Sequence, residues 1–569
     1  MNHLIRLKTT TPLFLIVLLL ACSALPQSAQ AVSPAPDGGY PNFNTAEGDN
    51  ALFSLTGGLS NTAIGFQALY SNTLGGDNTA NGYAALYSNT TGGNNTSTGV
   101  QALYSNTTGG NNTANGENAL YRNTTGHDNT ATGFYALFSN TTAGYNTANG
   151  VNALYGNTIG FSNTATGFQA LYSNRTGGNN TANGVNALYN NTTAGDNTAN
   201  GFEALLSNTT GIDNTASGAF ALNSNSTGNF NTANGYAALY SNRTGGNNTA
   251  NGENALYRNT TGNYNTASGF QALFSNTDGG ANTASGFQAL FSNTDGGNNT
   301  ANGENALYYN TIGFSNTANG FQALFSNTTG SHNTASGDNA LFSNTIGTDN
   351  TANGTSALNH NTTGSNNTAL GFLAGQNLTT GGNNIDIGAN VLGVAGESNA
   401  IRIGRVGTQT KAFIAGIHGA IASGGAAVFV NSAGQLGTAP CSKRFKDKIK
   451  PMNKASEAIL ALKPVSFRYK KDIDPDGTPQ FGLVAEEVEK VNPALITRDA
   501  DGNPYTVRYD AVNAMLLNEF LKEHRRSEKL EATVARQQKQ IEALTAGLHK
   551  VSAQVEMSRI APQMAANER

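Results

Sequence analysis

Apolar positions in this chain return on a fixed beat. In the stretch Asn61-Thr62-Ala63-Ile64-Gly65-Phe66-Gln67-Ala68-Leu69-Tyr70-Ser71-Asn72, large apolar side chains are set among Asn, Thr and Gly, and the phrase recurs every 17 residues, with Asn at 44, 61, 78, 95 and 112 and onward in register to Asn367. Gly65, Ala68, Leu69 and Asn72 come back as Gly82, Ala85, Leu86 and Asn89, and again as Gly116, Ala119, Leu120 and Asn123. Leu is the one large apolar residue that the beat keeps, so a column of Leu is the expected core of a stack. A fixed period without insertions marks a solenoid or array. One Leu and two Ala are little surface against the ordering entropy of such a unit. The expectation is that units stack, and that three chains are aligned before the stack closes.

Asn, Thr and Gly are poor helix-interior residues, which excludes a helical repeat. Short extended segments at Thr62-Ala63-Ile64 and Ala68-Leu69-Tyr70, separated by Gly65 and by the Asn72-Thr73-Leu74-Gly75-Gly76 corner, predict two strands and two turns per coil. The fold class is therefore mainly β, a parallel β-roll or solenoid over 44–383. The residue after Leu is usually aromatic (Tyr70, Tyr87, Tyr104, Phe138, Tyr172, Phe274, Phe291), a column suited to a seam between chains or to a binding face. The Asn-x-Thr triplets read most simply as turn residues and stacked amide ladders.

The Asn-Thr-Ala-x-Gly phrase resembles the left-handed parallel β-roll repeats in head domains of trimeric bacterial surface adhesins and of some phage fibres, whose repeats are usually a few residues shorter. The resemblance covers Asn44 to Gly388.

Ahead of the repeats, Arg6 and Lys8 precede an apolar run from Pro12 to Ala21, followed by Ala29-Gln30-Ala31. This predicts a signal peptide over 1–31, an export address, and a linker over 32–43. Leu19-Leu20-Ala21-Cys22 is similar to a lipobox, so a membrane enters only if Cys22 carries lipid; cleavage after Ala31 is the preferred reading. Beyond the repeats, period-two alternation at Ile385-Asp386-Ile387 and Ile401-Arg402-Ile403, then at Ala412–Ile417 and Ala427–Val430, predicts a β-rich neck over 384–440.

Composition narrows the function. Charged residues make up 12%, Gly is 68 of 569 residues, and the formal net charge is −4. No basic stripe interrupts the repeats, which argues against nucleic acid. Acidic residues in the repeats fall singly, as Asp77, Glu117, Asp128 and Asp213, without the paired carboxylates that glycoside cleavage needs. No cofactor or metal is expected. A Thr file suggests ice or a crystalline polysaccharide, but the ice reading is disfavoured because Thr-x-Thr does not recur coil after coil to make a flat double file.

At Cys441-Ser442-Lys443-Arg444-Phe445-Lys446 the composition becomes charged and ordinary. This segment resembles the start of the S74 peptidase family, self-cleaving intramolecular chaperone domains at the C-termini of phage tailspikes and fibres. The likeness continues through Pro464-Val465-Ser466-Phe467-Arg468-Tyr469, Gly482-Leu483-Val484-Ala485-Glu486-Glu487-Val488 and Tyr505-Thr506-Val507-Arg508-Tyr509. It implies a small α+β chaperone domain over 441–525 that registers three chains and cuts Pro440-Cys441, with Cys441 as nucleophile and Lys446 as base. This chain departs from the family pattern in having Cys441 for the usual Ser and Ser442 for the usual Asp. A thiolate beside an ammonium can do such chemistry.

Leu530, Val534, Gln537, Ile541, Leu544, Leu548, Val551 and Val555 follow at spacings of three and four, a heptad seam that predicts a coiled coil over 526–557, with a disordered tail over 558–569. The reading these features support is an exported homotrimeric surface fibre, adhesin-like, whose partners are its own copies and cell-surface or matrix glycans. An autoprotease whose only chemistry is self-cleavage, and a phage-type receptor-binding fibre, are the alternatives.

Overall fold

A computed structural model of the chain describes residues 40–417, 423–431, 434–499 and 501–564, with side chains described through 558. The expected signal peptide over 1–31, including Cys22, lies outside the described residues, as do most of the linker and residues 565–569 of the tail. The chain forms two units, divided at Gln409 and Thr410.

The first unit is a 22-stranded parallel β-solenoid. Its strands are three residues long, from β1 (Thr45–Glu47) to β22 (Ile401–Ile403), and each pairs with the next in strict register, Thr62 beside Thr79 and Ala63 beside Ala80. The middle residue of each strand points inward and the outer two face solvent, as the period-two geometry of a strand requires. At about 4.8 Å per strand the stack runs on the order of 100 Å.

One strand per coil forms, where two were expected. Ala68-Leu69-Tyr70 is a turn, with Gln67 at φ 57° and Leu69 at φ 51°, and this left-handed pair recurs in nearly every coil. Left-handed backbone costs a non-glycine residue roughly 1–2 kcal/mol. Here it brings Leu69 to the centre of the coil, where the side chain is fully buried. The turn is still bonded coil to coil: Leu69 N donates to Ala85 O at 3.0 Å, and Ser71 N to Tyr87 O at 3.0 Å. The ladder that a second strand would have supplied is present without strand dihedrals. At Gly82 (φ 148°) a Cβ would lie 2.3 Å from the Gly99 carbonyl oxygen of the next coil, so only glycine permits the stacking distance there.

The interior is closed within one chain. Ala63, Ala68, Leu69, Asn61 and Asn72 are all fully buried, and their equivalents repeat this along the stack. The Asn side chains form the two amide ladders. Asn78 Nδ2 donates to Asn61 Oδ1 at 3.0 Å and to Gly92 O at 2.9 Å; Asn89 Nδ2 donates to Asn72 Oδ1 at 2.7 Å and also to Gly92 O at 2.9 Å. Each buried amide thus has partners above, below or within its own turn, which removes the penalty of burying it. The expectation that three chains must be aligned before the stack closes is corrected accordingly: the interior that one Leu and two Ala leave open is filled by two buried, bonded Asn from the same chain.

The Leu column ends at Leu358; Gly375 takes the next place and Leu378 fills the space beside it. The Ala column gives way to Asp386 and then Arg402, paired across the last two strands, and the repeat shortens to 16 residues. The first part of the expected neck, Ile385–Ile387 and Ile401–Ile403, is therefore solenoid. Of the rest, among the described residues only Phe429–Val430 and Leu436–Gly437 pair, as a two-stranded antiparallel ribbon. Ala412–Ile417 contains no strand, and Phe413, Ile414 and Ile417 are exposed, because no second strand bonds to them.

Besides that ribbon, the described part of the second unit carries the antiparallel pairs Val465–Phe467 with Gln480–Gly482 and Ile496–Arg498 with Pro504–Val507. A short helix, Ala485–Val491, lies between them in sequence, and a long helix spans Tyr509–Met564. The chaperone segment and the coiled-coil segment share that helix, so the 525/526 boundary falls inside it. The helix also runs past Ser558, where the tail was expected to lose structure; each added residue closes another backbone bond even where no seam pattern supports it. Among the described residues no helix is long and apolar enough to cross a membrane.

Candidate functional site

The core of the second unit is small. Val488, Leu495, Ile496, Val507 and Met515 are buried, with Ile459, Leu462 and Val512 partly covered against them. Large apolar residues are left outside: Phe481 is 85% exposed, and Leu460, Tyr505 and Phe520 are also exposed. Phe481, Val465, Leu483, Val512 and Leu516 line an open apolar groove of about 570 Å³. Along the long helix, Leu530, Val534, Ile541, Leu544, Leu548, Val551 and Val555 are each more than half exposed. A helical seam of this kind has no stabilising contact within the single chain.

Cys441 begins the charged segment of this unit. It is exposed, its thiol carries no disulfide, and Sγ lies 3.9 Å from the carbonyl oxygen of Ala439. The turn Lys443–Phe445 follows, and Lys446 N closes it by donating to Lys443 O at 3.1 Å. No hydrogen bond joins Cys441 to Lys446, and both are solvent-exposed. The single chain therefore presents the two residues close in sequence without assembling them.

The structure does assemble a polar cluster that local sequence does not reveal. Ser456, fully buried, donates to the Glu519 carboxylate; Asn518 Nδ2 donates to Ser456 Oγ at 2.6 Å and Lys522 Nζ lies 3.3 Å from it. Lys522 also pairs with Glu519 at 2.6 Å. The hydrogen bond from Lys522, then that from Ser456, holds the Glu519 carboxyl below its usual pKa. A serine flanked by lysine and carboxylate resembles a nucleophile site, but this hydroxyl is closed to solvent. It pins the 3-10 segment Asn453–Ala461 to the long helix.

In the first unit the buried charges sit at the last coils. The Asp386 side chain is fully buried, its Oδ2 has no hydrogen-bond partner, and Arg402 reaches Oδ1 at 3.5 Å while bonding Glu397 at 2.6 Å. Burial pushes the Asp386 carboxyl above its usual pKa, and Arg402 offsets that only in part. No group of three His, Cys, Asp or Glu among the described residues could hold a metal ion.

Rings form a long file on the solenoid. From Phe53 through Tyr70, Tyr87, Tyr104, Tyr121, Phe138, Tyr155 and Tyr172 to Tyr189, successive centroids lie 5.0–5.2 Å apart with nearly parallel planes. Leu206 and Asn223 interrupt the file, and it resumes from Tyr240 to Phe342. Within the file each ring face is covered by its neighbour, so only edges and hydroxyls are left for a ligand.

With this geometry established, the second unit can be placed among known domains. Residues 441–497 match the model of the family Peptidase S74, described as chaperone of endosialidase. No curated protein and no solved structure matches the chain. A parallel solenoid coupled to a C-terminal chaperone-type segment is the organisation of a tail-fibre-type structural protein.

Proposed function

We propose that the protein is an exported homotrimeric surface fibre. In this reading the solenoid is the shaft or head, and the C-terminal unit is the intramolecular chaperone that brings three chains together. The observation that carries it is the unpartnered seam from Leu530 to Val555, on a helix that its own chain does not cover. Long helices draw most of their stability from packing an apolar face, and a heptad seam obtains that packing from parallel copies. The number three follows from the likeness of residues 441–497 to the chaperone family.

The chaperone also releases itself. The Cys441 thiolate attacks the Pro440 carbonyl carbon; a carbon–sulfur bond forms, the carbon–nitrogen bond to Cys441 breaks, and Lys446 returns the proton to the freed amine. Water then hydrolyses the thioester, leaving a carboxylate at Pro440 and the thiol at Cys441. In the single chain the two side chains stand apart, so assembly of the trimer is the step that brings them into reach.

Sedimentation and intact mass of the purified full chain test this. The expected result is a trimer with a break before Cys441 that Cys441→Ala and Lys446→Ala each abolish. A full-length monomer at micromolar concentration would overturn the reading.

A further inference from the structure

A second column of large side chains runs along the solenoid, two residues after the strand. Between Phe134 and Phe270 it reads Phe134, Val151, Phe168, Val185, Phe202, Ala219, Tyr236, Glu253, Phe270. Rings occupy alternate coils and smaller or charged residues occupy the coils between. The five rings are each 38–53% exposed. Unlike the Tyr70 file, Phe134, Phe168, Phe202 and Tyr236 do not stack face to face with one another; Phe134 is T-shaped against Tyr135, Phe220 is T-shaped against both Phe202 and Tyr236, and Phe270 stacks on Phe287.

We infer that this column binds an extended β-1,4-linked polysaccharide lying along the stack. Two coils advance about 9.6 Å at the inter-strand spacing. An extended β-1,4 chain turns each sugar over relative to the last, so it presents the same pyranose face after two residues and over close to the same distance. Phe134, Phe168 and Phe202 then each meet one such face, whose axial C–H groups make it apolar, and Val151 and Val185 between them give room to the inverted sugar. Beside the rings runs a polar file, the third residue of each strand: Thr132, Asn149, Thr166, Asn183, Asn200 and Ser217. Separated from the ring column by one glycine per coil, it supplies donors and acceptors to equatorial hydroxyls. An apolar strip flanked by a few ordered polar groups is the usual make-up of a small-ligand site. No carboxylate pair faces the strip, so the site holds the chain without cutting it. Glu253 in the same column disfavours a self-interface there, because in-register copies would set it against its own equivalent.

This rests on the surface-fibre reading only for where the polysaccharide would be met, because the strip is complete on one chain. The test uses the purified full chain and calorimetry with cellohexaose, chitohexaose and, as an α-linked control, maltohexaose. Binding to one or both β-1,4 probes and not to maltohexaose is expected, the two β-linked arms telling glucose from N-acetylglucosamine chains. Phe134→Ala/Phe168→Ala/Phe202→Ala should weaken that binding at least tenfold with unchanged circular dichroism. Val151→Phe/Phe168→Val, which keeps composition but moves one ring by a coil, should weaken it severalfold. Absence of binding to both β-1,4 probes, or equal binding by either variant, would overturn the inference; a change in oligomeric mass would bear on the fibre reading alone.

Discussion

The two units handle apolar surface in opposite ways. In the solenoid the recurring Leu is fully buried from Leu69 to Leu358, and the polar groups packed beside it are bonded. Among the described residues of the C-terminal unit five apolar side chains are buried, while Phe481, Phe520 and the apolar residues of the Leu530–Val555 seam face solvent. The difference teaches which part of the chain is finished alone. In the solenoid each coil is covered by the next, whereas the C-terminal unit has a small core and an apolar seam that no described residue of the chain covers.

Ways to break this contrast can be ranked by size. The largest effect in the solenoid is expected from Gly184→Ala, since its Cβ would lie 2.3 Å from the Gly201 oxygen at φ 143°. The stack should part there, seen as proteolytic nicking near that coil and loss of a single unfolding transition. Leu171→Ala opens a cavity in a closed core and should cost about 2–5 kcal/mol by denaturant unfolding. Asn174→Ala leaves buried neighbours unbonded, since Asn174 donates to Asn157 Oδ1 at 2.8 Å and accepts from Asn191 at 2.8 Å; it should cost about 1–3 kcal/mol.

The smallest effects are those of pH, and they run in opposite directions. Asp386 binds its proton more tightly folded than unfolded, so its coil loses stability as pH rises from the unfolded carboxyl value through the raised folded one. Glu519 is shifted the other way, so its contribution is present above the unfolded value and lost as pH falls through the lowered folded one. Amide exchange followed across acid pH should show the end coils tightening and the Ser456 contact loosening. Asp386→Asn and Glu519→Gln should each flatten only its own response.

Much of the solenoid was legible because a repeat states the same local choice at every coil. The 17-residue period, the Leu and Ala columns, the Asn ladders and the strand at Thr62-Ala63-Ile64 all follow from it. The second strand did not, because Leu69 is a residue that normally avoids positive φ, and only packing across coils holds it there. Closure within one chain was hidden for a related reason: counting only Leu and Ala overlooks how much interior two bonded Asn can fill. In the C-terminal unit, Cys441 and Lys446 were found through family resemblance, and the single chain does not join them. Ser456 and Glu519 lie 63 residues apart and carry no local signature, so their contact emerges only from the fold.

Sedimentation velocity with circular dichroism on the full chain carrying Ile541→Glu and Leu548→Glu tests the contrast between the units most directly. The account predicts a monomer whose solenoid keeps its β spectrum and its unfolding midpoint. A variant that aggregates, or that loses the β spectrum with the oligomer, would show that the solenoid needs partner chains after all.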